Sequence, residues 1–161
     1  MMKIFISIAS YQDPLLESTI RSAYEKSDVP KNLTFAICDQ SSIPLNIESI
    51  EFNNQIKYEH INPLYSEGPC WARSRIQNSF DDEDYYLQID SHMQFEEGWD
   101  SYLIKYIKRI QSIDYELHQL PIITCYPRSF DVLDIDNNKF DRFISAIEGL
   151  RTEQPSHNLR Y

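Results

Sequence analysis

Glycine is scarce in this chain, with only Gly68, Gly98 and Gly149 among 161 residues. Phosphate-binding loops need several glycines at short fixed spacing, because their backbone amides must approach the phosphates closely. Neither G-x-G-x-x-G nor the Walker A pattern is present. Dinucleotide-fingerprint proteins and P-loop nucleotide hydrolases are therefore excluded.

Disulfide pairs, long apolar runs and basic clusters are also lacking. Cys38, Cys70 and Cys125 are far apart and form no C-x-x-C pair, which favours reduced, mostly buried thiols in a cytoplasmic protein. No stretch approaches the roughly 20 apolar residues of a membrane span, and the run at residues 4–9 is too short for a signal sequence. The net charge of −10 argues against a nucleic-acid partner, whose binding depends on lysine and arginine.

What the sequence does contain is an alternation of strand-like and helix-like segments. Strands are predicted over residues 4–9, 33–38, 56–61, 85–89 and 121–125, and helices over residues 13–26, 68–80 and 99–113. This order predicts an α/β fold with a mostly parallel sheet flanked by helices. The pattern weakens towards the end, so we expect a core over residues 1–130 and a C-terminal extension over residues 131–161.

Polar side chains follow the predicted strands at their carboxyl ends, where open α/β sheets bind ligands. Polar residues at strand ends are common. Their presence here therefore fits two interpretations equally well, a nucleotide or sugar site and an ordinary polar rim. The residues are Ser10, Tyr11 and Asp13 after the first strand, Asp39 and Gln40 after the second, Asp90 and His92 after the fourth, and Tyr126 after the fifth.

The Asp90-Ser91-His92 sequence is a candidate half-site for a divalent metal. It offers one hard oxygen and one nitrogen, a mixed set that Mn²⁺ accepts more readily than Mg²⁺ or Ca²⁺. Two ligands are too few for a tight site, so phosphates, water or a third side chain, with His157 as one candidate, must supply the rest. The competing interpretation is a turn or helix cap, with Ser91 as the capping residue.

Arg73 and Arg75 lie in the helix predicted to start at Gly68-Pro69. The free N–H groups and the positive dipole end of such a helix suit a diphosphate. Both arginines could equally be surface residues near the acidic run at residues 81–84.

Taken in order, these residues resemble a known family. Residues 7–14 (SIASYQDP), 68–73 (GPCWAR) and 87–95 (LQIDSHMQF), the pair Trp99-Asp100 and the pair Tyr126-Pro127 are similar to the GlcNAc-transferases whose eukaryotic members glycosylate hydroxyproline on a cytoplasmic ubiquitin-ligase subunit. The resemblance covers residues 3 to about 128. The Asp-Ser-His sequence followed by Gly98-Trp99 is also similar to the polypeptide GalNAc-transferases, which share the GT-A fold.

The resemblance implies a GT-A-like glycosyltransferase that transfers GlcNAc from UDP-GlcNAc, with retention, to an unknown hydroxyl on a protein or glycan. Mn²⁺ (or Mg²⁺) would bridge Asp90, His92 and the diphosphate, and Arg73 would contact the phosphates or the metal-site acid. These three residues are the catalytic candidates. The donor-binding candidates are Ser10, Tyr11, Asp13, Asp39, Gln40, Arg73 and Asp90. Of these, Asp13 and Asp39 would face uridine.

GT-A transferases are usually longer than 161 residues, so much of the C-terminal acceptor half is expected to be short or missing. The first alternative is therefore a catalytically incomplete nucleotide-sugar-binding module that acts through a partner. A second is a metal-dependent phosphohydrolase, although two clustered acids would be expected there. An oligomer would be one way to cover an apolar face left by a short C-terminal half.

Overall fold

The structure is a computed structural model that describes residues 2–113 and 121–125. The chain divides into two compact units, Met1–Asp100 and Ser101–Tyr161. The predicted boundary after residue 130 and the predicted features at Tyr126, Pro127 and His157 lie outside the described residues. In chain order the strands and α-helices are β1 (Ile4–Tyr11), α1 (Leu16–Glu25), β2 (Leu33–Gln40), β3 (Ile56–His60), α2 (Pro69–Gln77), β4 (Tyr85–Asp90) and α3 (Trp99–Ile113).

The four strands form one sheet in the order β3-β2-β1-β4, and every neighbouring pair is parallel. Ile4 pairs with Leu33 on one side and with Tyr85 on the other, so the central strands start level with one another. Because helices cover both faces of such a sheet, β1 is a nearly continuous apolar run. The predicted parallel α/β sheet is confirmed.

Helix α2 packs on one face of the sheet. Phe5 from β1, Ala36 and Cys38 from β2, and Ala72 and Ile76 from α2 form a buried cluster. The two alanines allow the helix backbone to approach the strands closely, because they place only a methyl group between them. Burial, followed by the nearby carboxylate of Glu59, raises the pKa of the Cys38 thiol to about 11, so this thiol is an inert core residue.

Helix α1 buries Leu16, Ile20 and Ala23, which recur at the spacing of one helical face. Its Tyr24 stacks on Phe52, with ring centroids 3.8 Å apart. Phe52 in turn contacts Phe35 of β2 at 5.6 Å. This aromatic chain connects α1 to the sheet through the long β2–β3 connection.

The predicted fifth strand is wrong. Residues 121–125 have no regular secondary structure and are not part of the sheet. An apolar, β-branched run indicates a strand only if a neighbouring strand supplies ladder hydrogen bonds, and local sequence carries no information about that neighbour.

Two local predictions also need correction. Helix α1 begins at Leu16, and Asp13 caps the preceding turn because its Oδ1 accepts a hydrogen bond from the Leu15 N–H at 2.9 Å. The cysteines are not mostly buried, since Cys70 and Cys125 are exposed.

Among the described helices, none has the length and apolar character needed to cross a membrane.

Candidate active site

The carboxyl ends of the strands bring most of the predicted site residues to one edge of the sheet. Ser10 pairs with Asp39, and Tyr11 pairs with Gln40. On the other side of β1, Ala9 pairs with Asp90. The sheet register therefore places side chains that are up to 80 residues apart in the sequence on adjacent strand ends.

Asp90 is the last residue of β4 and forms an ion pair with Arg73 of α2. The Arg73 guanidinium donates a hydrogen bond from Nη2 to Asp90 Oδ1 at 2.9 Å. The Asp90 side chain is 59% exposed and that of Arg73 is 24% exposed. The arginine thus contacts the predicted metal-site acid, which is one of the two contacts that the family resemblance implies for it.

His92 is held by Asp13. The Oδ2 atom of Asp13 lies 2.7 Å from His92 Nδ1 and accepts a second hydrogen bond from the Ser91 hydroxyl, also at 2.7 Å. Burial acts to raise the pKa of Asp13, but the hydrogen bonds from Ser91, His92 and the Leu15 amide lower it overall. Asp13 is therefore an ionised acceptor at neutral pH.

A left-handed residue turns the chain between β1 and Asp13. Gln12 has a φ of 52° although it is not glycine, and such conformations carry a strain cost that surrounding contacts must offset. Its N–H donates to the Gln40 carbonyl at 3.1 Å, and its side-chain oxygen accepts from Ser42. These contacts fix the reversal that places Asp13 beside the end of β4.

The end of β2 is more buried than the sequence suggests. Asp39 accepts a 2.6 Å hydrogen bond from the Tyr58 hydroxyl and one from the Leu45 N–H at 3.3 Å. Burial and then this carboxylate raise the pKa of Tyr58, which therefore stays protonated and donates to Asp39. The predicted uridine contact of Asp39 remains a prediction.

The other predicted donor-binding residues differ in their exposure. Gln40 is 2% exposed, and its amide bonds internally, donating to the Ser10 carbonyl at 3.0 Å and accepting from the Ser66 hydroxyl at 2.6 Å. Ser10 is fully buried, and its hydroxyl has no partner in the described part of the chain. Tyr11 is 57% exposed, so its ring is available to a ligand.

The amino end of α2 also lies near this edge. Gly68 precedes the helix with a φ of 96°, and Pro69 is its first residue. Within the part of the chain that the structure describes, a Cβ at Gly68 would meet nothing within 4 Å. The N–H groups of Cys70 and Trp71 fall in the first turn, where a helix offers no internal acceptor.

Residues 98–100, part of the family resemblance, have a structural role here. The Gly98 N–H donates to the Lys26 carbonyl at 2.8 Å, and the Trp99 indole N–H donates to the Ala23 carbonyl at 2.9 Å. The buried Asp100 carboxylate accepts from the Ser27 hydroxyl and from the amides of Asp28 and Val29, all between 2.6 and 3.0 Å. This segment ties the start of α3 to the end of α1.

Asp90 and His92 fit a partial metal site. Among the described residues, only one oxygen of Asp90 accepts a hydrogen bond, and His92 has the carboxylate partner on its other ring nitrogen that metal-bound histidines usually have. Within residues 2–113 and 121–125, no group of three or more His, Cys, Asp and Glu side chains is arranged to hold a metal. The remaining ligands of such an ion must therefore come from elsewhere, phosphates being the natural source.

Three residues of this region were not predicted as part of the site. Ser91 was considered only as a cap, and its hydroxyl supports Asp13; Tyr58 and Ser66 hold Asp39 and Gln40. Ser91 lies between the two candidate ligands Asp90 and His92 in the sequence, and this position could have identified it as a site residue. Tyr58 and Ser66 come from other segments, and only the sheet register brings them here.

A family model described as Glycosyltransferase (GlcNAc) matches residues 43–146. No curated protein matches.

Solved structures of TarS from S. aureus share the fold. TarS 1–349 matches with a TM-score of 0.55 and 16% identity, over 68% of this chain and 33% of that one. A longer TarS structure matches at 0.54 and 15% identity, over 68% and 20% of the two chains. TarS 1–349 in complex with UDP matches at 0.51 and 17% identity, over 68% and 33%. This chain therefore spans a third or less of these neighbours.

The structural likeness supports the GT-A-like α/β fold that the sequence predicts. The family model covers well over half of the chain and includes α2, β4 and the Asp90-Ser91-His92 sequence. On this evidence the chain belongs to the GlcNAc glycosyltransferase family.

Proposed function

We propose that this chain binds UDP-GlcNAc at the carboxyl edge of its sheet and transfers GlcNAc to a hydroxyl group of a protein or glycan, with retention of the anomeric configuration. The observation that carries the proposal is the arrangement at the end of β4, where Asp90 meets Arg73 and His92 meets Asp13. Family membership and the UDP complex of a TarS neighbour support a nucleotide-sugar donor.

The charges at this edge favour a divalent cation beside the donor. Asp13, Asp39 and Asp90 lie at or just beyond the ends of three adjacent strands, and Arg73 forms an ion pair with Asp90. A diphosphate brought to these carboxylates would be repelled unless further positive charge came with it. We infer that Mn²⁺, or Mg²⁺, is held by Asp90 and His92 together with the donor phosphates.

The reaction breaks the bond between the anomeric carbon of GlcNAc and the β-phosphate oxygen, and the electron pair leaves with UDP. The acceptor oxygen bonds to the same carbon, and its proton passes to the departing diphosphate. A bound divalent cation supplies Lewis-acid stabilisation of the leaving diphosphate. Arg73 adds a positive charge on the α2 side, and the first-turn amides of α2 add oriented dipoles.

Calorimetric titration of UDP with and without Mn²⁺ tests donor binding. Wild-type protein is expected to bind UDP in a Mn²⁺-dependent manner, and the double variant Asp90→Ala/His92→Ala is expected to lose at least about tenfold in affinity. The matched control Asp81→Ala/His60→Ala removes the same residue types from positions outside the proposed metal pair. No binding by wild-type protein, or equal binding by the double variant, would refute the proposal.

Chemistry is tested separately by UDP release from UDP-GlcNAc. Mn²⁺-dependent release is expected even without an acceptor, through slow hydrolysis, and proton NMR should show the α-anomer of GlcNAc forming first. Tight donor binding without any release would instead favour the binding-module alternative. One observation gives that alternative weight: the described residues supply only a partial metal site.

A further inference from the structure

We propose that Asp13 is a positioning residue that fixes the ring of His92 with its proton on Nδ1, so that Nε2 is the nitrogen available to a divalent cation. This inference rests on the proposed function, in which His92 is a metal ligand. It gives Asp13 a role different from the uridine contact that the family resemblance implies.

The hydrogen bonds at Asp13 determine the tautomer. An ionised carboxylate can only accept hydrogen bonds. Asp13 Oδ2 accepts from His92 Nδ1 and from the Ser91 hydroxyl, both at 2.7 Å, so Nδ1 must carry the proton. In a neutral imidazole with Nδ1 protonated, the free lone pair is on Nε2.

The two partners differ in burial in the way that a positioning role requires. The Asp13 side chain is 14% exposed, whereas that of His92 is 59% exposed. Asp13 is also fixed on its other oxygen by the Leu15 amide. The half-buried carboxylate is therefore the immobile partner, and the exposed ring takes its orientation from it.

The backbone around His92 is fixed independently by Thr19 of α1. The fully buried Thr19 hydroxyl donates to the Ser91 carbonyl at 2.7 Å and accepts from the Met93 amide at 2.9 Å. The residues on both sides of His92 are thus held, and Asp13 restricts the remaining side-chain freedom. A turn cap alone would need only the Oδ1 contact of Asp13, so capping does not account for the Oδ2 contact with the ring.

The variant Asp13→Asn tests the proposal with nearly unchanged shape. Its amide oxygen can keep the Leu15 hydrogen bond, and its NH₂ group then faces His92 and donates to Nδ1. The ring proton is expected to move to Nε2, where it blocks metal binding. We expect Mn²⁺ affinity in the presence of UDP to fall about 10- to 100-fold, the range typical for loss of a carboxylate that supports a ligating histidine.

Two readouts are needed. Ring ¹⁵N shifts of His92 in metal-free protein at about pH 8 should show Nδ1–H in wild-type protein and Nε2–H in Asp13→Asn. Calorimetry with Mn²⁺ and UDP gives the affinities. Asp81→Asn, at the opposite edge of the sheet, removes the same charge and should bind as wild type does.

The outcomes separate this inference from the proposed function. If wild-type protein binds Mn²⁺ with UDP and Asp13→Asn binds within twofold of it, the inference is overturned and the proposed function stands. The same holds if wild-type His92 carries its proton on Nε2, a measurement that needs no variant to fold. If wild-type protein binds no Mn²⁺ with UDP, the proposed function fails and the inference fails with it.

Discussion

Each candidate metal ligand has its own protein partner, Arg73 for Asp90 and Asp13 for His92. The two pairs differ in how easily a bound ligand can replace the protein partner. The Arg73–Asp90 pair is partly exposed on both sides, and such ion pairs contribute only about 0–1 kcal/mol. It can therefore be exchanged for a bound cation or phosphate at small cost, whereas the half-buried Asp13 is fixed by three donors.

Replacing Arg73 with methionine should separate metal binding from nucleotide binding. Loss of the guanidinium frees Asp90, so affinity for Mn²⁺ alone should be unchanged or higher. Affinity for UDP with Mn²⁺ should fall about 10- to 150-fold, because a charge-assisted hydrogen bond is worth roughly 1.5–3 kcal/mol. Calorimetry measures both quantities.

Arg75→Met is the matched control for this prediction. Arg75 lies two positions along α2, pairs with Glu59 and stacks on Trp71, so its loss should leave UDP affinity unchanged. Equal losses in the two variants would show that helix charge, and not the contact with Asp90, determines binding.

At the scale of elements, glycine positions show which connections are constrained. Gly98 has a φ of 72°, and a Cβ there would lie 3.2 Å from Asp28 Oδ2. Gly68 also has a positive φ, of 96°, but a Cβ there would meet no atom of the described residues within 4 Å. Both substitutions to alanine carry backbone strain, of the order of 1 kcal/mol. Only Gly98→Ala adds a steric conflict.

We therefore expect Gly98→Ala to lower the free energy of unfolding more than Gly68→Ala does. Urea denaturation of both variants measures the difference. A Gly68→Ala variant that is equally or more destabilised would show that the contact with Asp28 has no energetic weight.

Elements were more predictable from the sequence than contacts were. The four strands of the sheet and the three helices follow from apolar periodicity, which is a local property. The prediction of a fifth strand was wrong because the local sequence does not encode which neighbouring strand would supply its hydrogen bonds. Asp90 and His92 could be singled out by type and spacing, but their pairing with Arg73 and Asp13 depends on how β4 lies beside β1 and α2.

At the scale of the whole molecule, not every acidic side chain is exposed to solvent. The chain carries a net charge of −10, with residues 81–84 entirely acidic. Asp81, Asp82 and Asp84 are exposed, but the Glu83 side chain is 2% exposed. It accepts a hydrogen bond from the Asp81 amide at 3.0 Å and lies 3.5 Å from Lys57 Nζ. One acid in this run therefore belongs to the packed interior.

Glu83 should make the stability of the protein pH-dependent. Burial acts to raise its pKa, but hydrogen bonds from the Asp81 amide and Thr34 lower it overall from its ordinary value of 4.5. A lowered folded-state pKa contributes stability that is present above the unfolded-state value and is lost as the pH falls through the folded-state value. Protonating Glu83 therefore destabilises the fold below about pH 4.5.

Glu83→Gln mimics the protonated side chain, so it should be less stable than wild-type protein at pH 7 and approach it as the pH falls below 4.5. Urea denaturation across this range measures the two curves. Glu48→Gln removes the same charge from an exposed glutamate, and its curve should run parallel to that of wild-type protein. A difference between Glu83→Gln and wild type that stays constant with pH would mean that Glu83 contributes through packing alone, because only a titrating group makes the two curves converge.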